Sequence, residues 1–197
     1  MKLGVLFSGG KDSNYALYKA DKTDEVQVLI TLDSENEESY MFHTPINAVE
    51  KQAKKLKISL IKFKTKGEKE EELKDLKKTI EKAKKEFKIK GVVTGAVAST
   101  YQASRVQKIC DELDLWCFNP LWQMDQEKLL RDLIKDGFKF KIVKVAADGL
   151  DDLWINRIID KKAVEELIKL KEKYGINING EGGEYESEVV ESPLFRK

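Results

Sequence analysis

Apolar residues in the first 120 positions form short runs that alternate with stripes at helical spacing. Leu3-Gly4-Val5-Leu6-Phe7 is a run of strand type, and Val26–Leu32, Ile58–Phe63, Gly91–Gly95 and Leu115–Phe118 repeat it. Between these runs lie helix signals. Tyr15, Leu17 and Tyr18 interleave with helix formers from Asn14 to Ala20, and Ile46, Val49, Ala53 and Leu56 share one helical face. Leu73, Leu76, Ile80, Ala83 and Phe87 stripe a long helix whose other faces carry lysines and glutamates, a solvated pattern. Ala103, Val106, Ile109 and Leu113 mark the next helix. Strands alternating with helices imply a parallel sheet with right-handed crossovers. Ligands of such sheets sit at the carboxyl ends of the strands. The pattern therefore gathers Ser8–Ser13, the loop after Leu32 and the segment after Val93 around one crevice.

Beyond Pro120 the rhythm changes. A helix with Leu129, Leu130, Leu133 and Ile134 leads to Gly137, then Phe140, Ile142 and Lys144 alternate with Lys141, Val143 and Val145. A last helix carries Ala163, Leu167, Leu170 and Tyr174 on one side and ends before Gly175. Val189-Val190 and Pro193-Leu194-Phe195 follow. We read residues 1–120 as one α/β domain and 121–197 as a smaller α+β domain. No low-complexity linker divides them, so they are expected to share a site.

Composition narrows the partners. Lys+Arg number 36 against Asp+Glu 35, and a net charge of +1 argues against broad binding to a nucleic-acid backbone. With 36% charged residues and one histidine, the chain fits a thermophilic source. Cys110 and Cys117 form no metal motif and suggest no disulfide framework, which favours a reducing cytoplasm and core roles for both. No signal peptide or membrane span is visible, so a soluble cytoplasmic protein is expected.

The first chemical signal is Ser8-Gly9-Gly10-Lys11-Asp12-Ser13. A strand that turns through two glycines into a helix start builds an anion site. Glycines permit positive φ and close backbone approach, while the helix start offers unpaired N–H groups and its dipole. Ser8 and Ser13 are candidate hydroxyl donors, and Lys11 a mobile charge. This is not a Walker loop, because Gly10 stands where that motif needs lysine. A plain Gly-Gly turn with a polar cap is the simpler alternative. The second signal is Gly180-Glu181-Gly182-Gly183-Glu184-Tyr185-Glu186-Ser187, a turn expected to bring three carboxylates together. Such a cluster needs a cation or hydrogen-bond donors, or else it is an acidic surface hairpin. His43, beside Phe42, suits an acid/base, phosphate or capping role. Arg105 shares a helix face with Tyr101 and suits either a phosphate or carboxylate contact or a surface ion pair. Trp116, Trp122 and Trp154 are expected to pack rather than to stack on ligands.

The hexapeptide resembles the SGGxDS loop of the N-type ATP pyrophosphatases, the PP-loop superfamily. Further stretches, in order along the whole chain, resemble the diphthine–ammonia ligase family in its archaeal-type short form. They are Met41-Phe42-His43-Thr44, Gly95–Gln102 with Arg105-Val106, Pro120-Leu121-Trp122, Lys144–Asp151, Glu181–Ser187 and Pro193-Leu194-Phe195. Thr100 stands where the family usually has Asp, and Ile155-Asn156-Arg157 replaces a usual Leu-Gly-Arg.

The resemblance implies a five-stranded parallel nucleotide-binding domain of Rossmann-like type, order 3-2-1-4-5, with a family-specific carboxyl-terminal domain. It implies amidation of diphthine on translation elongation factor 2, with ATP consumed to AMP and pyrophosphate and ammonia as nitrogen donor. Ser8, Gly9, Gly10, Lys11, Asp12, Ser13 and Arg105 would bind ATP, and Asp12 would orient the loop or hold Mg²⁺. Lys11, Asp12 and Glu184 would be catalytic. Tyr101, Glu181, Gly182, Gly183, Glu184, Tyr185 and Glu186 would bind the acceptor, with the ring of Tyr185 facing its trimethylammonium group. Neither direct nucleic-acid binding nor a membrane is expected, and a homodimer is left open. Two rival readings are a tRNA-modifying enzyme of the same superfamily and a non-catalytic nucleotide-binding domain. The first would want a basic surface and, for thiolation, catalytic cysteines.

Overall fold

The computed structural model describes residues 1–34 and 46–196. His43 and the Met41–Thr44 stretch lie outside the described residues. The chain divides into two compact units, Met1–Trp122 and Gln123–Lys197.

The first unit is built on a parallel sheet of β1 (Lys2–Leu6), β2 (Glu25–Ser34), β3 (Ser59–Thr65), β4 (Gly91–Val93) and β5 (Trp116–Phe118). The strand order is β3-β2-β1-β4-β5, the order the family resemblance implied, and every neighbouring pair is parallel. The connecting helices are α1 (Lys11–Asp21), α2 (Ile46–Leu56), α3 (Lys69–Phe87) and α4 (Thr100–Glu112). Leu3, Val5, Leu6 and Val28 to Ile30 are all buried, as a sheet covered on both faces requires. Leu76, Ile80 and Ala83 of α3 join Val106, Ile109 and Cys110 of α4 in one core with Leu6, Val28, Ile30 and Val92. Tyr15, Ala16 and Leu17 of α1 and Val49 and Ala53 of α2 are buried outside that core. The solvated face of α3 is laced with pairs one helical turn apart, such as Lys85–Glu81 at 2.9 Å.

Trp116 departs from the expected packing role: it is 68% exposed. It sits on β5, an edge strand with one neighbour, so less of its surface is covered. Trp154, by contrast, is buried beneath the Arg157 guanidinium, 4.4 Å from the ring centroid.

The second unit pairs β6 (Lys139–Val145) antiparallel with β7 (Tyr185–Glu191) beside α5 (Gln126–Lys135) and α6 (Lys161–Tyr174). Asp125 and Asp160 cap the two helices, accepting from Lys128 N–H at 2.9 Å and Ala163 N–H at 2.8 Å. Leu129, Leu130, Leu133, Phe140, Ile142, Ala163, Val164 and Leu167 are buried. Two positions break the expected alternation. The register shifts between Ile142 and Lys144, so Lys144 leaves the buried face, is exposed, and pairs with Glu186 at 3.5 Å. Tyr174, the last residue of α6, is exposed and lays its ring against Gly149, where an added Cβ would lie 2.6 Å from ring carbons.

Candidate functional site

The turn after β1 begins with Phe7, whose N–H continues the sheet by donating to Ile30 C=O at 2.8 Å. Gly9 then takes φ 81°, the left-handed region that a side chain resists. Gly10 differs from the sequence expectation. Its φ is −73°, open to any residue, and it serves as the N-cap of α1. Backbone freedom therefore does not call for glycine there. No side chain caps this helix start. Instead Gly10 C=O accepts from Asn14 N–H at 3.2 Å, Ser13 Oγ at 3.1 Å and Asn14 Nδ2 at 3.0 Å. Ser8 Oγ donates to Ser13 Oγ at 3.2 Å, so the two hydroxyls form a chain across the turn.

Lys11 is not mobile. Its side chain is buried, and Nζ lies 2.7 Å from Asp12 Oδ2. The reason is local: Lys11 opens α1, and the neighbouring carboxylate offsets the cost of burying an ammonium.

The loop after β4 meets the same turn. Thr94 Oγ1 donates to Asn119 Oδ1 at 2.9 Å and accepts from Ala96 N–H at 3.0 Å. At Gly95 an added Cβ would stand 2.8 Å from both Asp12 C and Ser13 N. The backbone of the β4–α4 loop thus rests directly on the first turn of α1. β1 and β4 are where the strand order reverses direction, the topological switch point of this sheet. Ser99 caps α4 by accepting from Gln102 N–H at 3.3 Å, with Thr100 as the first helical residue. The Arg105 guanidinium stacks on the Tyr101 ring at 3.4 Å, as their spacing on one helix face allows.

Asn14 and Gln52 were not singled out from the sequence. Both are buried polar residues, and Asn14 Nδ2 donates to Gln52 Oε1 at 3.0 Å while Gln52 Nε2 donates to Gly9 C=O at 3.0 Å. The signal was legible: Gln52 falls on the stripe Val49, Ala53, Leu56, where a polar residue needs a partner.

The acidic turn of the second unit is organised around Glu184. Its carboxylate accepts from Asn177 N–H at 3.0 Å and Gly182 N–H at 2.8 Å, and its C=O accepts from Ala146 N–H at 2.8 Å. Tyr185 corrects a second expectation. Its ring is buried rather than presented to a ligand, because its hydroxyl donates to Ile178 C=O at 2.8 Å and its ring packs on Gly180. Two of the three carboxylates have partners of their own. Glu184 turns onto its own loop, and Glu186 pairs with Lys144. Among the described residues no group of three or more His, Cys, Asp or Glu is placed to hold a metal ion.

Cys110 is buried, and a hydrogen bond with Cys117 together with that burial pushes its thiol far above the usual range. Both effects disfavour the thiolate that a nucleophilic role for Cys110 would need. Among the described residues no helix is long and apolar enough to cross a membrane.

The parallel sheet, its order and the strand–glycine–helix turn at the switch point define an α/β protein of the nucleotide-binding type. Comparison with known proteins is more specific. Residues 1–116 match the diphthamide synthase N-terminal domain, and residues 125–197 match the diphthamide synthase C-terminal domain. The chain is 34% identical to the diphthine–ammonia ligase of Mus musculus, over 100% of this chain and 81% of that protein. It is 32% identical to the diphthine–ammonia ligase of Homo sapiens over 100% and 81%. The corresponding figures for that of Danio rerio are 32%, 100% and 85%. The protein belongs to the diphthamide synthase family.

Proposed function

We propose that this protein is a diphthine–ammonia ligase, converting the diphthine carboxylate of translation elongation factor 2 to an amide at the expense of ATP. One observation carries the reading: an uncapped helix start follows a Gly9–Gly10 turn at the switch point, in a chain whose two parts match the two family domains. A carboxylate does not react with ammonia at neutral pH, so one of its oxygens has to become a leaving group. Attack of that oxygen on the α-phosphorus of ATP releases pyrophosphate and leaves an acyl-adenylate. Ammonia then adds to the acyl carbon, AMP departs, and a proton is released.

The protein's part is positioning and charge neutralisation. Residues 1–120 act as the ATP-binding domain and 121–197 as the acceptor-binding domain. Ser8, Gly9, Gly10 and Ser13 hold the departing pyrophosphate with backbone N–H groups and hydroxyls. Lys11, held beside Asp12, adds fixed positive charge, and Arg105 is offered a further phosphate oxygen. Mg²⁺ commonly reaches such sites on the phosphates and takes only one or two protein carboxylates, and Asp12 suits that role. The ion would neutralise charge on the phosphates. Glu181, Gly182, Gly183 and Glu186 recognise the cationic acceptor. Glu184 shapes that turn through its backbone bonds, and Tyr185 anchors it from within.

Gly10→Val tests the phosphate site. Because φ of −73° suits valine, the backbone survives, and ATP binding measured by calorimetry should fall at least tenfold through clash with phosphate alone. Unchanged affinity would put the phosphates elsewhere.

A further inference from the structure

We infer that Asn14 and Gln52, both outside the glycine hexapeptide, are positioning residues that aim its backbone N–H groups at the phosphates of ATP. The inference rests on the ATP site proposed above and deepens it. In a trans peptide the C=O and the following N–H point in opposite directions, so holding one aims the other. Gln52 Nε2 holds Gly9 C=O at 3.0 Å, which fixes the plane that carries Gly10 N–H, a group that donates a long bond of 3.4 Å to Ser8 Oγ. Asn14 Nδ2 holds Gly10 C=O at 3.0 Å, which fixes the plane that carries Lys11 N–H. The two amides are themselves joined, Asn14 Nδ2 to Gln52 Oε1 at 3.0 Å. Asn14 and Gln52 are 1% and 3% exposed, so no water competes for these bonds.

The arrangement has a physical motive. Gly9 at φ 81° has no side chain to hold its plane, and no side chain caps the start of α1. Left alone, such a turn would lose affinity to reorganisation on each binding event. Gln52 also ties the turn to α2, 38 residues along the chain from Asn14, so the loop is supported by a second helix as well as its own.

Gln52→Met keeps length and volume but removes the donor to Gly9 C=O. The full chain carrying it is compared with the unsubstituted protein by calorimetric titration with ATP and with AMP, and by thermal melting. We expect ATP to bind about tenfold more weakly while AMP, which lacks the β and γ phosphates, binds within about twofold of normal. If Gln52→Met does not fold, Gln52→Asn, which retains the amide one methylene further back, carries the same comparison with the same expected split. Unchanged ATP affinity overturns the inference, and so does an equal loss for ATP and AMP, which marks plain structural support. The ATP-site reading fails separately: it falls if the unsubstituted protein binds AMP and ATP equally well, or if Gly10→Val binds ATP normally.

Discussion

At Asn156 the backbone stands at φ 64°, a conformation that costs most residues about 1–2 kcal/mol. Asparagine is among the side chains that tolerate this left-handed region best after glycine. Its N–H donates to Ile142 C=O at 2.7 Å, and its Oδ1 accepts from Lys141 Nζ at 3.2 Å. Asn156→Gly should shift stability by less than about 1 kcal/mol, whereas Asn156→Val should cost about 1–2 kcal/mol in urea unfolding. Equal effects of the two changes would refute the backbone explanation. The angle itself was not legible in the sequence, although the departure from the family pattern was. Lys11 carries the same lesson in reverse. Its identity announced a charge at the glycine turn, but its burial against Asp12 depended on packing that no spacing rule encodes.

The long helices of the first unit followed directly from periodicity, because α3 and α4 each turn an apolar stripe to the core of the sheet. Contacts between elements were less legible. Gly95 reads as a residue after a strand, yet it is where the β4–α4 loop touches the first turn of α1. Gly95→Val would drive a side chain into Asp12 C and Ser13 N and displace the first turn of α1. We expect a cost of about 1–3 kcal/mol and a fall in ATP affinity of at least tenfold, read by melting and calorimetry. A stable variant with normal affinity would show that the turn does not depend on that contact. In the second unit the acidic turn was found, but its internal order was not, since bonds from Glu184 to Asn177 and Gly182 N–H depend on a local fold. Glu184→Gln replaces one of the two carboxylate oxygens by a donor and should destabilise this unit by about 1.5–3 kcal/mol. Amidation should fall sharply while ATP affinity holds. Loss of ATP binding with normal amidation at saturating ATP would instead make the turn a nucleotide element.

At the scale of the whole molecule, the two compact units coincide closely with the two family domains, residues 1–116 and 125–197. A near-neutral balance of 36 basic and 35 acidic residues fits an enzyme that recognises its acceptor by local chemistry, not by a general field. The central claim is that ATP activates a carboxylate for attack by ammonia. The direct measurement is incubation of the full chain with ATP, ammonium and diphthine-bearing elongation factor 2, with mass spectrometry of the modified residue and chromatography of the nucleotides. Conversion of the acid to the amide is expected, with AMP and pyrophosphate formed in step with it and only when the factor is present. An unaltered carboxylate, or turnover that yields ADP and orthophosphate, would contradict it.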